Sequence, residues 1–451
     1  MNEKRRSPNS PPAKDNFTLF WQKFLKYYLI LGLLFLVMFT MRATLTMLQI
    51  FVPDLSQNFG LSEGRITLVF TIYNISAAGF SLFLGPVTER VGYKISIFLG
   101  MFLFGVAMTI IPFAGSFFVL AYAHAQAGLG SALFGPATVA YAGDYFPKKK
   151  RTTAIGIIMS AFYVASIIAV PVNSFLSDLI GWRWGVGFMA ILCYLVFLLT
   201  LSFIPSKSKK PTNQTILDSE NALNEPIHHP PKNELKVANQ ETTTYFDRVK
   251  LVLNNKYALG TFFITLFQRG GLFAMMTLLS SWLQGNFGLN KTEVGLIFMG
   301  TGTASLISNT LFSWVANKIG KRTVILLGTT LTALWVGIFP FISLTLALAI
   351  VGVILLNFFG GMSMGSYNTF ITEVDPLNKA TTVSINNTFG QMSIAIATAL
   401  LGGLIYDQTS NYAFTGLAAM GLYIICVILM FIFVRPEKIE DYFKAKKTDK
   451  D

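Results

Sequence analysis

Twelve separate stretches of about twenty mainly apolar residues run along this chain, and a stretch of that kind is stable as a helix spanning a lipid bilayer. They fall at 27–52, 65–84, 95–113, 118–142, 153–177 and 184–204, then at 257–282, 293–312, 323–343, 347–371, 381–405 and 412–434. Numbered as spans 1 to 12, they predict an all-α integral membrane protein. The composition agrees, with 53% of the 451 residues hydrophobic and 13% charged, where an ordinary soluble domain carries roughly a quarter charged residues. Cys193 and Cys426 both lie inside apolar runs and make no disulfide framework. A net charge of +13 in a soluble protein would suggest nucleic acid. Here the basic residues flank the spans and report orientation instead. With the N-terminus in the cytoplasm, thirty of the 35 lysines and arginines fall on cytoplasmic segments. Arg65, Arg183 and Lys291 fall on the opposite side, and Arg42 and Arg269 lie within spans. Both termini are therefore expected in the cytoplasm. The basic N-terminus shows no small-residue cleavage site, so span 1 reads as retained. Lysine-rich tails and the absence of a targeting segment point to a bacterial inner membrane.

The chain repeats itself. Asn58-Phe59-Gly60-Leu61 recurs as Asn286-Phe287-Gly288-Leu289, and the same offset of 228 carries Phe70 to Phe298. An ungapped match of this kind implies two six-span bundles, 27–204 and 257–434, related by an axis along the membrane normal. Residues 1–26 and 435–451 read as basic tails. Residues 205–256, rich in Lys, Asn, Thr and Pro, read as a disordered cytoplasmic linker with an interfacial helix near 245–255.

After span 2 the sequence reads Gly85-Pro86-Val87-Thr88-Glu89-Arg90-Val91-Gly92-Tyr93-Lys94, and after span 8 Ser313-Trp314-Val315-Ala316-Asn317-Lys318-Ile319-Gly320-Lys321-Arg322. This pair resembles the duplicated signature loop of the major facilitator superfamily. The resemblance implies that Glu89, Arg90, Gly92, Lys94, Lys318, Gly320 and Arg322 latch the cytoplasmic ends of the halves together. Glu89 stands where the family usually has Asp, and the second copy has the neutral Asn317. Asp144-Tyr145-Phe146-Pro147 with the basic run to Arg151, and Gly181-Trp182-Arg183-Trp184 before span 6, resemble segments of the twelve-helix drug:proton antiporter branch. Asp144 and Arg151 join the expected gate on that ground. The chain departs from that branch in span 5, which reads Val170-Pro171-Val172-Asn173-Ser174, and in span 4, where His124 replaces an arginine. It also has no acid in the middle of any span.

Polar residues sort by span. Spans 3, 6, 9 and 12 carry no charge or amide in their interiors, whereas spans 1, 4, 7 and 10 carry Arg42 and Gln49, His124 and Gln126, Gln268 and Arg269, and Asn357, Tyr367 and Asn368. Polar groups facing lipid would go unsatisfied, so this sorting marks a wet interior and a candidate substrate site. Arg42 and Arg269 carry most weight. Each sits about 18–22 Å into its span at 1.5 Å per residue, and an arginine there costs about 2.5–3.5 kcal/mol on insertion scales. Two of them with no embedded acid call for an anion, which guanidinium holds in bidentate fashion. The pattern is similar to organophosphate:phosphate antiporters of the same superfamily, with one arginine on span 1 and one on span 7. The plainer reading has each arginine bonded to amides such as Gln49 or Gln268. His124 is either a coupled-proton carrier or a neutral, hydrogen-bonded interior side chain.

The leading reading is a monomeric secondary transporter in contact with lipid, working by alternating access on an organic or phosphorylated anion, with a proton or counter-anion as its coupled partner. It needs no cofactor, metal or nucleic acid. Alternatives are a proton-coupled multidrug or metabolite efflux antiporter, and a non-transporting sensor of the same fold. No nucleotide-binding loop or catalytic cluster is present, so neither ATP drive nor an enzyme is expected.

Overall fold

The computed structural model describes residues 16–205, 245–375 and 378–435. The tails and nearly all of the expected linker lie outside the described residues. Its far end is a short helix, Tyr245–Leu253, where the interfacial helix was expected.

All twelve expected spans are helices. Span 1 is Asn16–Ile50, followed by a short helix Val52–Phe59; span 2 is Glu63–Val91, span 3 Tyr93–Ile110, span 4 Phe117–Tyr145. Span 5 runs through Lys148–Val164, a π-helical turn Ala165–Ala169 and Val170–Ile180; span 6 is Trp182–Phe203. Spans 7 to 10 are Lys256–Phe287, Lys291–Ile319, Lys321–Ile342 and Leu346–Val374. Span 11 is Lys379–Ala397 continued by a π-helical stretch Thr398–Tyr406 and Asp407–Thr409, and span 12 is Tyr412–Phe433. Among the described residues eleven helices are long and apolar enough to cross a membrane. The twelfth, span 2, has the length, 29 residues, but carries Thr71, Asn74, Ser76 and Ser81, all engaged in hydrogen bonds.

The helix ends repeat as the sequence does. Ser62 caps span 2 by accepting from the Arg65 N–H, and Asn290, 228 residues on, caps span 8 by accepting from the Glu293 N–H in a capping box. Gly60 and Gly288 close the preceding helices at φ 61° and 68°; Gly92 and Gly320 separate spans 2 from 3 and 8 from 9 at φ 99° and 90°. The signature segments are thus helical up to Val91 and Ile319, and the loop expected there shrinks to a single left-handed glycine. Hydropathy marks only the part of a helix in hydrocarbon, and these helices run past it into water.

Close approach between spans rests on small residues. A Cβ on Gly100 of span 3 would sit 2.6 Å from the Gly130 carbonyl of span 4, and one on Gly130 would sit 2.7 Å from the Gly100 carbonyl. Spans 3, 6, 9 and 12 turn Leu99, Phe102, Ile191, Leu195, Leu334, Ile338, Ile425 and Ile428 outward.

The two bundles are joined most tightly on the face opposite the chain ends, called here the distal face. Lys291 at the start of span 8 reaches Asp54 at 3.0 Å and Asp178, near the end of span 5, at 3.8 Å. The Thr292 N–H donates to Asp178 at 2.7 Å. Ser280 and Gln284 of span 7 donate to the Ile50 carbonyl, and Gln49 donates to Thr277 at 3.2 Å. Farther in, Thr71 of span 2 donates to the Ala395 carbonyl of span 11. Glycines let these seams close: a Cβ on Gly295 of span 8 would sit 2.7 Å from the Ser174 hydroxyl of span 5, and one on Gly402 of span 11 would sit 2.5 Å from the Thr67 hydroxyl of span 2.

Candidate functional site

Spans 1 and 7 change character partway along. Every residue from Ala43 to Val52 is buried, and so is every residue from Ala274 to Leu283. Before those sealed stretches, Phe35, Leu36, Phe39, Met41 and Arg42 on span 1, and Gln268, Arg269, Leu272 and Phe273 on span 7, are half-buried. Arg42 is the last residue before the seal on its span, and Arg269 lies a turn before it on the other.

The two arginines are not strict repeat partners. An offset of 228 carries Arg42 to Gly270, so Arg269 sits one residue, or about 100° of helix rotation, from the equivalent position. They accordingly keep different company. Tyr73 of span 2 and Tyr163 of span 5 lie within electrostatic reach of Arg42. Arg269 has Tyr367 of span 10 beside it and lies against Gly390 of span 11, where a Cβ would sit 2.7 Å from Nη1. Among the described residues neither guanidinium has a hydrogen-bond or ion-pair partner, and Arg42 Nε is buried without one.

The amides expected beside the arginines turn their N–H groups to other partners. Gln49 bridges to Thr277. Gln268 donates to Thr329 at 3.4 Å and Ser363 at 3.3 Å. Gln126 donates to the Leu103 carbonyl of span 3, and Asn357 to the Val353 carbonyl of its own helix at 3.0 Å. The Tyr367 hydroxyl donates to the Thr261 carbonyl at 2.8 Å and lies 3.0 Å from the Thr265 hydroxyl, which in turn bonds Asn386. Asn368 is exposed. His124, 1% exposed, places Nδ1 2.8 Å from the Leu120 carbonyl and packs edge-on to Phe70. Gln49, Gln126, Gln268 and Tyr367 therefore knit helices together, and the arginine pair alone among the expected site residues carries charge without a partner.

The expected gate residues lie at the ends of spans on the face that carries the chain termini. Arg90, Asp144, Lys318 and Gly320 are exposed; Gly92, Lys94, Arg151 and Arg322 are half-buried. The Glu89 side chain lies outside the described residues. Lys318 covers the Trp314 ring at 3.8 Å, and Arg151 Nε and Arg322 Nε are buried without a partner. On this face Lys321 of span 9 pairs with Glu373 of span 10, within one bundle. The ion pairs between bundles described above are distal, and sequence reading had assigned Asp54, Asp178 and Lys291 no role. Burial in that seam raises the Asp54 carboxyl above its ordinary range, and the Lys291 ammonium pulls it back. A lysine facing two acids on the sparsely charged side of the spans was the available signal.

The family model described as Major Facilitator Superfamily matches residues 34–397 and 261–450. A cis,cis-muconate transport protein of Acinetobacter baylyi is 23% identical over 415 residues, 90% of this chain and 94% of that one. A hexuronate transporter of Bacillus subtilis is 22% identical over 401 residues, 86% and 90% of the two chains. Among solved structures a D-xylose-proton symporter superposes with a TM-score of 0.72 at 14% identity, covering 92% of this chain and 99% of that one.

Proposed function

The chain belongs to the major facilitator superfamily, a family of membrane transporters, and from that premise we propose that it carries an organic anion, held between Arg42 and Arg269, by alternating access. The observation that carries this reading is the unspent charge of the two guanidiniums, set where spans 1 and 7 pass from accessible to sealed. A carboxylate or phosphate there supplies the missing counter-charge and accepts paired N–H bonds. Tyr73 and Tyr163 lie within electrostatic reach of Arg42, and Tyr367 within reach of Arg269. Muconate and hexuronate, in the names of two relatives, are both carboxylates, which favours carboxylate over phosphate. The termini lie in the cytoplasm by the distribution of basic residues, so the distal face is external and the arrangement is closed outward. The gate on the terminal face, built from Arg90, Lys94, Asp144, Arg151, Lys318 and Arg322, engages when the halves rock the other way.

The test is counterflow in proteoliposomes with a panel of mono- and dicarboxylates, sugar acids, organic phosphates and cationic drugs. Arg42→Gln and Arg269→Gln are each expected to cut organic-anion exchange by tenfold or more, the scale of one charge-assisted hydrogen bond at about 1.5–3 kcal/mol. Anion exchange at wild-type rates in both variants would rule the reading out. Robust exchange of cationic drugs instead would favour the multidrug efflux alternative.

A further inference from the structure

Spans 2 and 8 are repeat partners, and their first residues, Glu63 and Lys291, are 228 apart. In the closed distal seam the two meet different company. Lys291 lies among carboxylates from the other bundle, Asp54 and Asp178. Glu63 is carried into the same interface with no cation paired to it among the described residues. Its company from the other bundle is hydroxylic. The Tyr406 phenol of span 11 donates to Glu63 Oε2 at 3.2 Å, and the Ser281 hydroxyl of span 7 faces the same carboxyl. That hydroxyl is buried, with its residue 3% exposed, and finds no partner at hydrogen-bond length.

We propose that Glu63 is a proton-binding site that fills as the distal seam closes, so that acid favours the distal-closed carrier. In an open seam the carboxyl stands in water at the mouth of span 2 and is ionised near neutrality. Closure strips that water and offers hydroxyls in its place, so the charged form is penalised and the neutral form is not. The proton passes from distal water to the carboxylate. The neutral carboxyl then donates to Ser281 Oγ while Oε2 goes on accepting from Tyr406, and the buried hydroxyl is satisfied. Burial raises the Glu63 carboxyl above its ordinary range, and the Ser281 and Tyr406 hydroxyls offset part of that. A carboxyl with a higher pKa in the closed form binds its proton more tightly there. Lowering the pH through that range therefore populates the closed form, and raising it depopulates the closed form. Other charges near the seam are Asp407 of span 11, which lies against Gly64, the exposed Arg65 on the same helix as Glu63, and the Asp54, Asp178 and Lys291 cluster.

The experiment follows the distance across the distal face by double electron–electron resonance on the full-length protein in proteoliposomes. Nitroxides go on Phe113→Cys and Leu344→Cys, 83% and 84% exposed in distal turns of opposite bundles, with Cys193 and Cys426 changed to Ala. The ratio of short-distance to long-distance populations is expected to rise about threefold or more from pH 8 to pH 5. Glu63→Gln should show a high short-distance population at both pH values with the response lost. Asp54→Asn should keep the response. Tyr406→Phe, which removes a donor to the carboxylate, should move the midpoint to higher pH. An unchanged distribution in the wild-type background, a response surviving in Glu63→Gln, or a midpoint unmoved by Tyr406→Phe would each overturn the proposal. Loss of the response in Asp54→Asn alone would overturn it by moving the site to the ionic cluster. The readout uses no substrate, so its outcome is separate from that of the anion reading.

Discussion

Gly390 matters through what it leaves out. A methyl group there would sit 2.7 Å from Arg269 Nη1 and 2.9 Å from its Cδ, so Gly390→Ala must push the guanidinium off span 11. The expected result is a rise in KM for the transported anion of about tenfold, the cost of misplacing one charge-assisted hydrogen bond, with the protein still folded and inserted. Flux assays over a concentration series, with thermal unfolding as a control, check it. Arg42 and Arg269 were legible because a charge inside an apolar run is visible without a structure. That both would be unpartnered was not legible, because it depends on which side chains the other spans bring beside them. Glu63 was less legible still, since Tyr406 lies 343 residues away along the chain.

The helices were legible to within two residues at both ends of spans 6, 9 and 12, and short of the mark where a helix continues past its apolar run, as after Leu84 and Trp282. Helix ends also show where the repeat has drifted. Span 5 ends at Gly181, with φ 89°, whereas span 11 ends at Ser410, with φ 49° and ψ 26°. Ser410 is the positive-φ residue other than glycine among those described. The left-handed conformation costs an L-residue about 1–2 kcal/mol, partly offset by the greater entropy glycine loses on folding. Ser410→Gly is therefore expected to stabilise the protein by about 0.5–1 kcal/mol. A dye-based melting curve in detergent should show a small upward shift, and a downward shift would contradict the strain argument. The π-helical stretches were not predicted, although Pro171 lies just after the turn in span 5 and Gly402-Gly403 lie within the longer one, Thr398–Tyr406.

The architecture of two bundles followed from periodicity and an offset, both properties of the whole sequence. Which face is closed did not follow, because two arrangements of the same bundles differ by contacts that neither bundle makes alone. The distal ion pairs make this testable. Asp54→Cys with Lys291→Cys, joined by a short bifunctional thiol reagent, should hold the distal face shut and reduce counterflow to background, and a cleavable reagent should restore it on reduction. Unimpaired transport after full cross-linking would mean that the seam need not part. A different consequence attaches to Gln49 and Thr277, which touch although they occupy the same place in the two repeats. Only positions on a rotation axis can meet their own equivalents. In a dimer of two identical bundles such a position faces its own copy, so its side chain must be its own complement. Fusing the bundles into one chain lifts that demand, and the amide donating to a hydroxyl here is a pairing that no symmetric pair of identical subunits can make.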